Sequence, residues 1–388
     1  MGGVGGSNEP ATGLLCWCDT LYGYNIRWML SRSFYVSSNC IRERNRNCCA
    51  DNVGTNSKIE IMCSWILSEA RPRTFFIVNY SVTILNNMNY KYIDVHSHLQ
   101  FSAFDDDRED VLKHTLDSGV AMINIGTQYD TSKNAVELAN KHPDGVYATV
   151  GLHPIHTDKS HHDEQELGEG GQAFVSRGEE FDYEKYKALA LDPKVLGIGE
   201  CGLDYYHLDP DASDPTHEKR IEKQKRVFEE HVRLASEVGK PLMLHIRNPL
   251  EGDRSAYKDV AEILRNSSKV KGDVHFFAGS LEDAKMFLDM GFTISFTGVI
   301  TFPTRLPARQ ESKKPGMADY EALVKYVPLD MLLSETDNPY VAPIPFRGKR
   351  NEPAHVKLVV ARIAEIKGLP EAEVAETIFN NAKRVFQF

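Results

Sequence analysis

The chain has 388 residues, enough for one large α/β domain or two ordinary ones. Hydrophobic residues make up 41% and charged residues 26%, the balance of a globular protein in water, and no apolar run reaches the roughly 18 residues of a membrane-spanning helix. The net charge of −10 argues against a protein that coats nucleic acid. It does not exclude an enzyme that holds a few phosphates at a small basic site.

The first part of the chain, residues 1–87, differs from the rest. It begins with the Gly-rich "MGGVGGSNEP", continues through polar stretches without a pattern, and contains only short apolar pieces without a clean helical or strand period. The start also lacks the basic end and apolar core of a secretory signal peptide. We predict an N-terminal extension that is disordered or not part of the native fold, and a catalytic domain at 88–388 for which Met88 is a natural first residue.

Cysteine usage separates the same two regions. Six of the seven cysteines precede residue 64, and Cys201 is the only one in the remaining chain. A disulfide framework normally spreads through the fold that it stabilises, so the later region is predicted to be a reduced, cytoplasmic protein. A zinc site in the extension is an alternative reading of four of these cysteines, although their C-x-C and C-C spacings are not the usual ones: Cys16, Cys18, Cys48 and Cys49.

From residue 92 onward, short apolar runs alternate with segments of helical character. The helical segments include "DREDVLKHTLDSG" and "EKQKRVFEEHVRLASEVGK", which stop at glycine, and "SLEDAKMFLDMG", which starts with a Ser-x-x-Asp cap. This order predicts a (β/α)₈ TIM barrel. A doubly wound open sheet is the alternative, but no G-x-G-x-x-G loop follows the first strand to support its dinucleotide-binding form. The eight predicted strands are 92–95, 121–126, 146–151, 195–200, 241–246, 273–277, 292–296 and 331–336.

Side chains that bind metals recur where the predicted strands end, which is where the active sites of such barrels lie. His96 and His98 are two positions apart on one strand, so both can point at one ion. A set of histidines and carboxylates suits a divalent ion such as Zn²⁺, Mn²⁺ or Mg²⁺, and six ligands are more than one catalytic ion needs. We therefore predict two divalent metal ions with Glu200 as a bridge. The six candidate ligands are His96, His98, Glu200, His245, His275 and Asp337.

Several motifs, in order along residues 90–388, resemble those of the TatD-like metal-dependent deoxyribonucleases. They are "DVHSH" (94–98), "GLHP" (151–154), "GECGLDYY" (199–206), "HIR" (245–247), "ETDNP" (335–339) and "FRGKRNEP" (346–353). The resemblance implies an amidohydrolase-like TIM barrel with a two-metal centre. One departure is Phe276, which stands where the family often has a cysteine; another is the long, acidic connection 157–182. That connection is predicted to be a solvated loop, and a third metal site at its His161 and His162 is the alternative.

The resemblance also implies roles for single residues. His96, His98 and Asp337 would bind the first ion, His245 and His275 the second, with Glu200 between them, and Asp337 would also take the proton of the attacking water. From its position at the end of the third predicted strand, His153 is expected to contact the substrate, with a metal-bound water as the alternative. Candidates for the remaining substrate contacts are cationic and aromatic: Arg247, Arg347, Lys349 and Arg350 for phosphates, and Tyr205 and Tyr206 for stacking on bases, with packing against the rim as the alternative for the two tyrosines.

The expected function is a 3′–5′ exonuclease that hydrolyses phosphodiester bonds in DNA, with RNA as a further substrate, and no obligate protein partner. A hydrolase of another bond, such as the ester of a misacylated tRNA or a small amide, is the alternative that the ligand set cannot separate. A non-catalytic barrel is a third reading, and it is disfavoured because all six ligands are present.

Overall fold

A computed structural model gives the fold of the chain. It describes residues 58–62, 79–83, 90–162, 174–206, 208, 216–250, 252–266, 270–303 and 318–388. The cysteine-based zinc site considered above lies outside these residues, as do the side chains of His161 and His162.

The chain divides into two compact units, Met1–Asn86 and Asn87–Phe388. Within the first unit, the described residues form a two-stranded antiparallel sheet of β1 (Lys58–Met62) and β2 (Asn79–Thr83). No strand is predicted here, because five residues of alternating character are too few to separate from an irregular stretch.

The second unit is built on eight parallel strands, which confirms the predicted TIM barrel. Each strand pairs with the next, and a parallel bridge between Ser97 and Asn338 brings the last segment beside the first. The backbone N–H of Asp337 donates to the carbonyl of His96 at 2.9 Å across the same seam. The barrel strands are β3 (Tyr92–Ser97), β4 (Val120–Ile125), β5 (Val146–Val150), β8 (Val195–Asp204), β9 (Leu242–Arg247), β10 (Gly272–Val274), β11 (Thr293–Phe296) and β12 (Leu332–Ser334).

Helices occupy the connections. They are α1 (Arg108–Asp117), α2 (Tyr129–Asn140), α3 (Tyr183–Ala190), α4 (His217–Val238), α5 (Ala256–Arg265), α6 (Leu281–Asp289), α7 (Tyr320–Tyr326), α8 (Val356–Lys367) and α9 (Glu371–Phe386). Short 3₁₀ turns lie at Ser102–Phe104, Pro154–His156, Gly298–Thr301, Leu329–Met331 and Pro353–His355. In the described part of the chain, no helix is long and apolar enough to cross a membrane.

Two predicted helix boundaries illustrate why these segments fold locally. Ser280 caps α6 by accepting a hydrogen bond from the N–H of Asp283 at 3.1 Å, as the Ser-x-x-Asp signature predicts. Helix α4 ends where Gly239 adopts a left-handed conformation with φ 68°, which a residue with a side chain adopts at a cost. The apolar faces of the helices pack on the strands, and this contact positions the strand ends that carry the polar residues.

The connection 157–182 is not entirely a loop. It contains a small antiparallel hairpin of β6 (Lys159–His162) and β7 (Phe174–Arg177). The Nδ1 atom of His156 lies 3.0 Å from the hydroxyl of Ser176, which ties the base of the hairpin to the turn that follows β5.

Candidate metal centre

The two histidines of "DVHSH" come together at the end of β3. His96 Nε2 and His98 Nε2 are 3.1 Å apart, and both side chains are buried. Behind them, Asp94 accepts hydrogen bonds from the N–H of His96 at 3.2 Å and from the N–H of Thr336 at 2.9 Å. Asp94 therefore joins the first strand to the segment after the last strand and fixes the positions of the ligands on both.

Glu200 lies at the middle of the cluster. Its Oε1 atom is 3.0 Å from His245 Nδ1 and 3.2 Å from His275 Nε2, while its Oε2 atom is 3.4 Å from His96 Nε2. Strand β8 reaches this position because Gly202 allows a close approach to β9; a Cβ atom there would lie 2.1 Å from the carbonyl oxygen of His245. One carboxylate thus faces histidines from two sides of the barrel.

Asp204 holds His245 from behind. Its Oδ2 atom is 2.9 Å from His245 Nε2, and its Oδ1 atom accepts a hydrogen bond from the N–H of Tyr206 at 2.9 Å. Asp204 is fully buried on β8, so the carboxylate faces the ring at a fixed position. This leaves Nδ1 of His245 as the atom directed at Glu200.

Glu335 contacts His275 in the same way as Asp204 contacts His245, on the side of the ring away from Glu200. Its Oε1 atom lies 3.2 Å from His275 Nδ1, and its Oε2 atom accepts a hydrogen bond from the hydroxyl of Ser295 at 2.9 Å. Phe276 takes a left-handed backbone with φ 42°, and its N–H donates to the same Oε1 atom at 2.6 Å. Nε2 of His275 is therefore the atom that faces the cluster.

Asp337 is the candidate ligand next to β3 that completes the cluster. Its Oδ1 atom is 3.4 Å from His98 Nε2 and 3.8 Å from His96 Nε2. The side chains of Asp337 and His245 are 14% and 16% exposed, the largest values among the six candidate ligands, whereas His96 is completely buried. The cluster therefore opens to solvent on the side of Asp337 and His245.

The electrostatics follow from burial and from close contacts. Burial alone would raise the pKa of Glu200, but the neighbouring histidines, with His153 and His275 foremost, hold it well below its usual range. Burial opposes the charge of His275, yet Glu335 and Glu200 raise its pKa well above normal. For Asp337, the histidines outweigh burial and lower the pKa, so its carboxyl is ionised at neutral pH. The centre thus combines anionic oxygens with imidazole nitrogens in a buried space.

These distances fit divalent ions. Two donor atoms that bind one ion at about 2.1 Å are roughly 3.0–3.4 Å apart in octahedral or tetrahedral geometry. The contacts of Glu200 with His96, His245 and His275 and of Asp337 with His98 span 3.0 to 3.4 Å. Groups that could hold an ion include His96, His98 and Glu200 on one side and His153, Glu200 and His245 on the other.

His153 joins the cluster from the end of β5. Its Nε2 atom is 3.3 Å from Glu200 Oε1, and its ring meets that of His245 edge to face with centroids 4.1 Å apart. Burial, reinforced by His245, lowers its pKa to about 4. The residue expected to contact substrate is therefore a neutral imidazole at the metal centre.

Three of the cations predicted to bind substrate lie at strand ends or on the segment after β12. Arg247 lies two positions beyond His245, and its guanidinium stacks over the ring of Tyr206 at 3.5 Å. Arg347 lies over the ring of Phe302 at 4.5 Å, and Lys349 is exposed on the same segment. These three cations lie on strand ends or on segments that follow them.

The side chains of two residues predicted to bind substrate, Tyr205 and Arg350, form hydrogen bonds with other residues of the chain instead. Tyr205 is only 1% exposed, and its hydroxyl donates to Asp259 at 2.7 Å, so no ring face is available for stacking on a base. Arg350 forms two hydrogen bonds to the carboxylate of Asp107, at 2.8 and 2.6 Å, and a third to Ala103. Its guanidinium fastens the segment after β12 to the start of α1.

Comparison with known proteins places this geometry in a family. Residues 93–387 match the family described as TatD related DNase. The chain belongs to the TatD family. It is 35% identical over 297 residues to the metal-dependent hydrolase YabD of Bacillus subtilis, covering 76% of this chain and 98% of that one. It is 30% identical over 300 residues to the metal-dependent hydrolase YcfH of Escherichia coli, covering 76% and 95%.

Solved structures agree with this assignment. The TatD homologue YjjV of Escherichia coli superposes with a TM-score of 0.60 at 26% identity, covering 77% of this chain and 98% of that one. A TatD-family hydrolase of Entamoeba histolytica has the same fold, with a TM-score of 0.58 at 22% identity and coverage of 77% and 99%. The protein is thus a metal-dependent hydrolase of the TatD family.

Two carboxylates of the cluster, Asp204 and Glu335, had no predicted role. Both lie within the quoted motifs, Asp204 as the last residue of β8 and Glu335 directly after β12. A buried carboxylate next to a ligand position is a signal for a residue that orients a histidine.

Proposed function

We propose that the protein is a 3′–5′ exodeoxyribonuclease that hydrolyses phosphodiester bonds at a two-metal centre bridged by Glu200. The observation that carries this proposal is the position of one carboxylate between two groups of histidine nitrogens, with its Oε1 facing His245 and His275 and its Oε2 facing His96. The DNase description of the matching family supports the nucleic-acid substrate.

The proposed ligands divide into two groups around Glu200. The first ion would be bound by the side chains from β3 and from the segment after β12, and the second by those from β9 and β10. Ion identity is set by availability as well as by ligands, so Mg²⁺, Mn²⁺ and Zn²⁺ are the ions to test. The assignments, which follow the contacts of these side chains with Glu200 and Asp337, are His96, His98 and Asp337 for the first ion, His245 and His275 for the second, and Glu200 for both.

When bound, such ions lower the pKa of a water molecule and polarise a phosphoryl oxygen. The residues of this chain supply the other parts of the reaction. Asp337 is ionised, is the more exposed of the two catalytic carboxylates, and is placed to accept the proton of the attacking water. Glu200 is buried, with His245 and His275 at its Oε1 atom and His96 at its Oε2 atom, so it stays in position through the reaction.

Further phosphates would be held by cations near the mouth of the barrel. Arg247 is preorganised by its stacking on Tyr206, and Arg347 and Lys349 lie on the segment after β12. A small set of cations on a chain with net charge −10 fits an enzyme that grips a strand end better than one that wraps a duplex. Tyr205 and Arg350 are not part of this surface. The distribution of cysteines favours a cytoplasmic location.

The test is digestion of labelled oligonucleotides by the metal-loaded full chain. Single-stranded DNA and RNA carrying a label at the 5′ or the 3′ end are incubated with Mg²⁺, Mn²⁺ or Zn²⁺. Stepwise shortening of the 5′-labelled strand, with early release of the label from the 3′-labelled strand, is the expected result. Intact oligonucleotides together with cleavage of an aminoacyl ester would replace the nuclease by an esterase of the same family.

Glu200→Ala tests the bridging role. The variant should lose both bound metal and turnover, because it removes the carboxylate that faces both groups of histidines. Glu237→Ala is the matched control, since Glu237 is an exposed glutamate of α4 whose partners are the surface residues Lys187 and Tyr183. Unchanged metal content in Glu200→Ala would refute the bridging assignment.

A further inference from the structure

His153 differs from the proposed ligands in the hydrogen bond made by its outer nitrogen, the ring nitrogen that points away from Glu200. The other ring nitrogen, which faces the cluster, is the inner nitrogen. The N–H of Ile155 donates to Nδ1 of His153 at 3.2 Å, across the 3₁₀ turn that follows β5. A backbone amide can only donate, so Nδ1 must carry the lone pair. In a neutral imidazole one nitrogen is an acceptor and the other a donor, and the hydrogen therefore lies on Nε2.

Three of the four ligand histidines have the opposite arrangement. The outer nitrogen of each faces an oxygen that can only accept, so it carries the hydrogen, and the inner nitrogen would offer its lone pair when an ion is bound. This is the arrangement of a metal-binding histidine, whose second nitrogen donates to a carbonyl or a carboxylate. Two of the pairs are hydrogen bonds, His98 Nδ1 with the Ile125 carbonyl and His245 Nε2 with Asp204, both at 2.9 Å, and the third is an ion-pair contact of His275 Nδ1 with Glu335 at 3.2 Å.

The backbone around His153 is held on both sides. The N–H of Leu152 donates to Nε2 of His231 at 2.9 Å, and Nδ1 of His231 donates in turn to the carbonyl of Val227 at 2.7 Å. The N–H of His153 itself donates to the carbonyl of Thr127 at 2.9 Å. A rotation of the ring by half a turn would break the hydrogen bond from Ile155. The backbone at this strand end therefore fixes the polarity of the ring, with Nδ1 as the acceptor and Nε2 as the donor.

By distance alone, His153 could be taken for a ligand. Its Nε2 atom is 3.3 Å from Glu200 Oε1, close to the 3.2 Å of His275. The hydrogen on Nε2 excludes a bond to an ion. At 3.3 Å, the contact with Glu200 is also longer than the usual 2.9–3.0 Å of an N–H···O bond, so this donor is not fully used within the protein.

We propose that His153 is a neutral hydrogen-bond donor at the metal centre, whose Nε2–H binds an anionic phosphoryl oxygen of the substrate. The identity of that oxygen rests on the function proposed above, whereas the polarity of the ring does not. His153 thereby acts as a catalytic residue that touches substrate, at the side of Glu200 where His245 and His275 also converge. Its role is distinct from metal binding and from general-base catalysis, because no lone pair faces the centre.

The experiment compares the same substitution at two neighbouring rings. His153→Gln and His245→Gln are made in the full chain, loaded with Zn²⁺, and their metal content is measured. His153→Gln should keep the wild-type content, whereas His245→Gln should lose about one ion per chain. Loss of metal from both variants to the same extent would overturn the proposal, because His153 would then be a ligand.

A second measurement uses inorganic phosphate as the probe. Calorimetric titration of the metal-loaded proteins should give roughly 10- to 100-fold weaker phosphate binding for His153→Ala, because one donor to a charged oxygen is lost. His153→Gln should recover part of this affinity, since its amide also donates. Phosphate binding by His153→Ala equal to that of the wild type, at unchanged metal content, would overturn the proposal.

The polarity of the ring can be measured without substrate. ¹⁵N NMR of histidine-labelled full chain should show His153 with a protonated Nε2 and an unprotonated Nδ1, identified by the loss of its signals in His153→Gln. The reverse pattern would refute the assignment. A wild type that digests no DNA but gives the metal, phosphate and NMR results above would refute the nuclease function and leave the donor role standing.

Discussion

Replacing Asp204 by asparagine tests whether the residues behind the ligands contribute to metal binding. The carboxylate of Asp204 is 2.9 Å from His245 Nε2 and completely buried, so solvent does not replace it when it is removed. Its main chain stays fixed, because the N–H and carbonyl of Asp204 both bond to the amide of Gln224, at 2.9 and 3.0 Å. The substitution therefore removes the charge and leaves the strand in place.

The size of the effect follows from the type of contact. A hydrogen bond to a charged group contributes about 1.5–3 kcal/mol, and each 1.4 kcal/mol is a factor of ten, which gives roughly 10- to 150-fold in affinity. Removing the carboxylate behind a metal-binding histidine typically costs about 10- to 100-fold. Because an amide oxygen can still accept from Nε2, we expect about a 10-fold loss for Asp204→Asn and about 100-fold for Asp204→Ala.

The assay is competition for Zn²⁺ against a chromophoric chelator at fixed pH. Asp259→Asn is the control: Asp259 accepts from the hydroxyl of the neighbouring Tyr205 and pairs with Lys225 at 3.0 Å, but does not contact a ligand histidine. Its affinity should equal that of the wild type. If Asp204→Asn also binds Zn²⁺ as tightly as the wild type, Asp204 does not orient His245, and its carboxylate does not contribute to metal binding.

Three further predictions concern pH, stability and domain limits. Burial lowers the pKa of His275, but Glu335 and Glu200 raise it well above its usual value, so the metal-free protein holds a proton that a metal ion must displace. Zn²⁺ affinity measured at a series of pH values should therefore rise with pH. An affinity that does not change with pH would contradict this. Arg350→Ala should lower the free energy of unfolding, measured by urea titration, by about 1 kcal/mol, because the ion pair of Arg350 with Asp107 is partly exposed and screened by solvent. The KM for oligonucleotides should not change. A raised KM would show that Arg350 contacts the substrate. A chain beginning at Met88 should express as a folded, active enzyme, and insolubility would make the preceding residues part of the fold.

The barrel and the clustering of the candidate ligands could be predicted because both follow from local rules. Apolar runs separated by helical segments give eight strands, and the ends of parallel strands share one side of the barrel. That is why His96 and Asp337, 241 residues apart along the chain, could be expected at one place. The structure brings them within 3.8 Å.

The remaining features depend on contacts that no local rule specifies. Arg350 looked like a phosphate donor because it lies in a basic segment, yet its partner Asp107 is 243 residues away. Tyr205 looked available for stacking, but it turns inward to Asp259 while its neighbour Tyr206 meets Arg247. Side-chain direction at a strand end is set by packing with distant elements, which the sequence does not show.

In the proposed function, metal ions held around Glu200 hydrolyse nucleic acid and Asp337 accepts the proton of the attacking water. The most direct measurement is metal analysis followed by oligonucleotide digestion, on the wild type and on Asp337→Asn. The wild type should hold about two ions per chain and shorten DNA from the 3′ end, whereas Asp337→Asn should digest it at least about 100-fold more slowly. A metal-loaded wild type that leaves DNA and RNA intact, or an Asp337→Asn variant that digests DNA at the wild-type rate, would contradict the account.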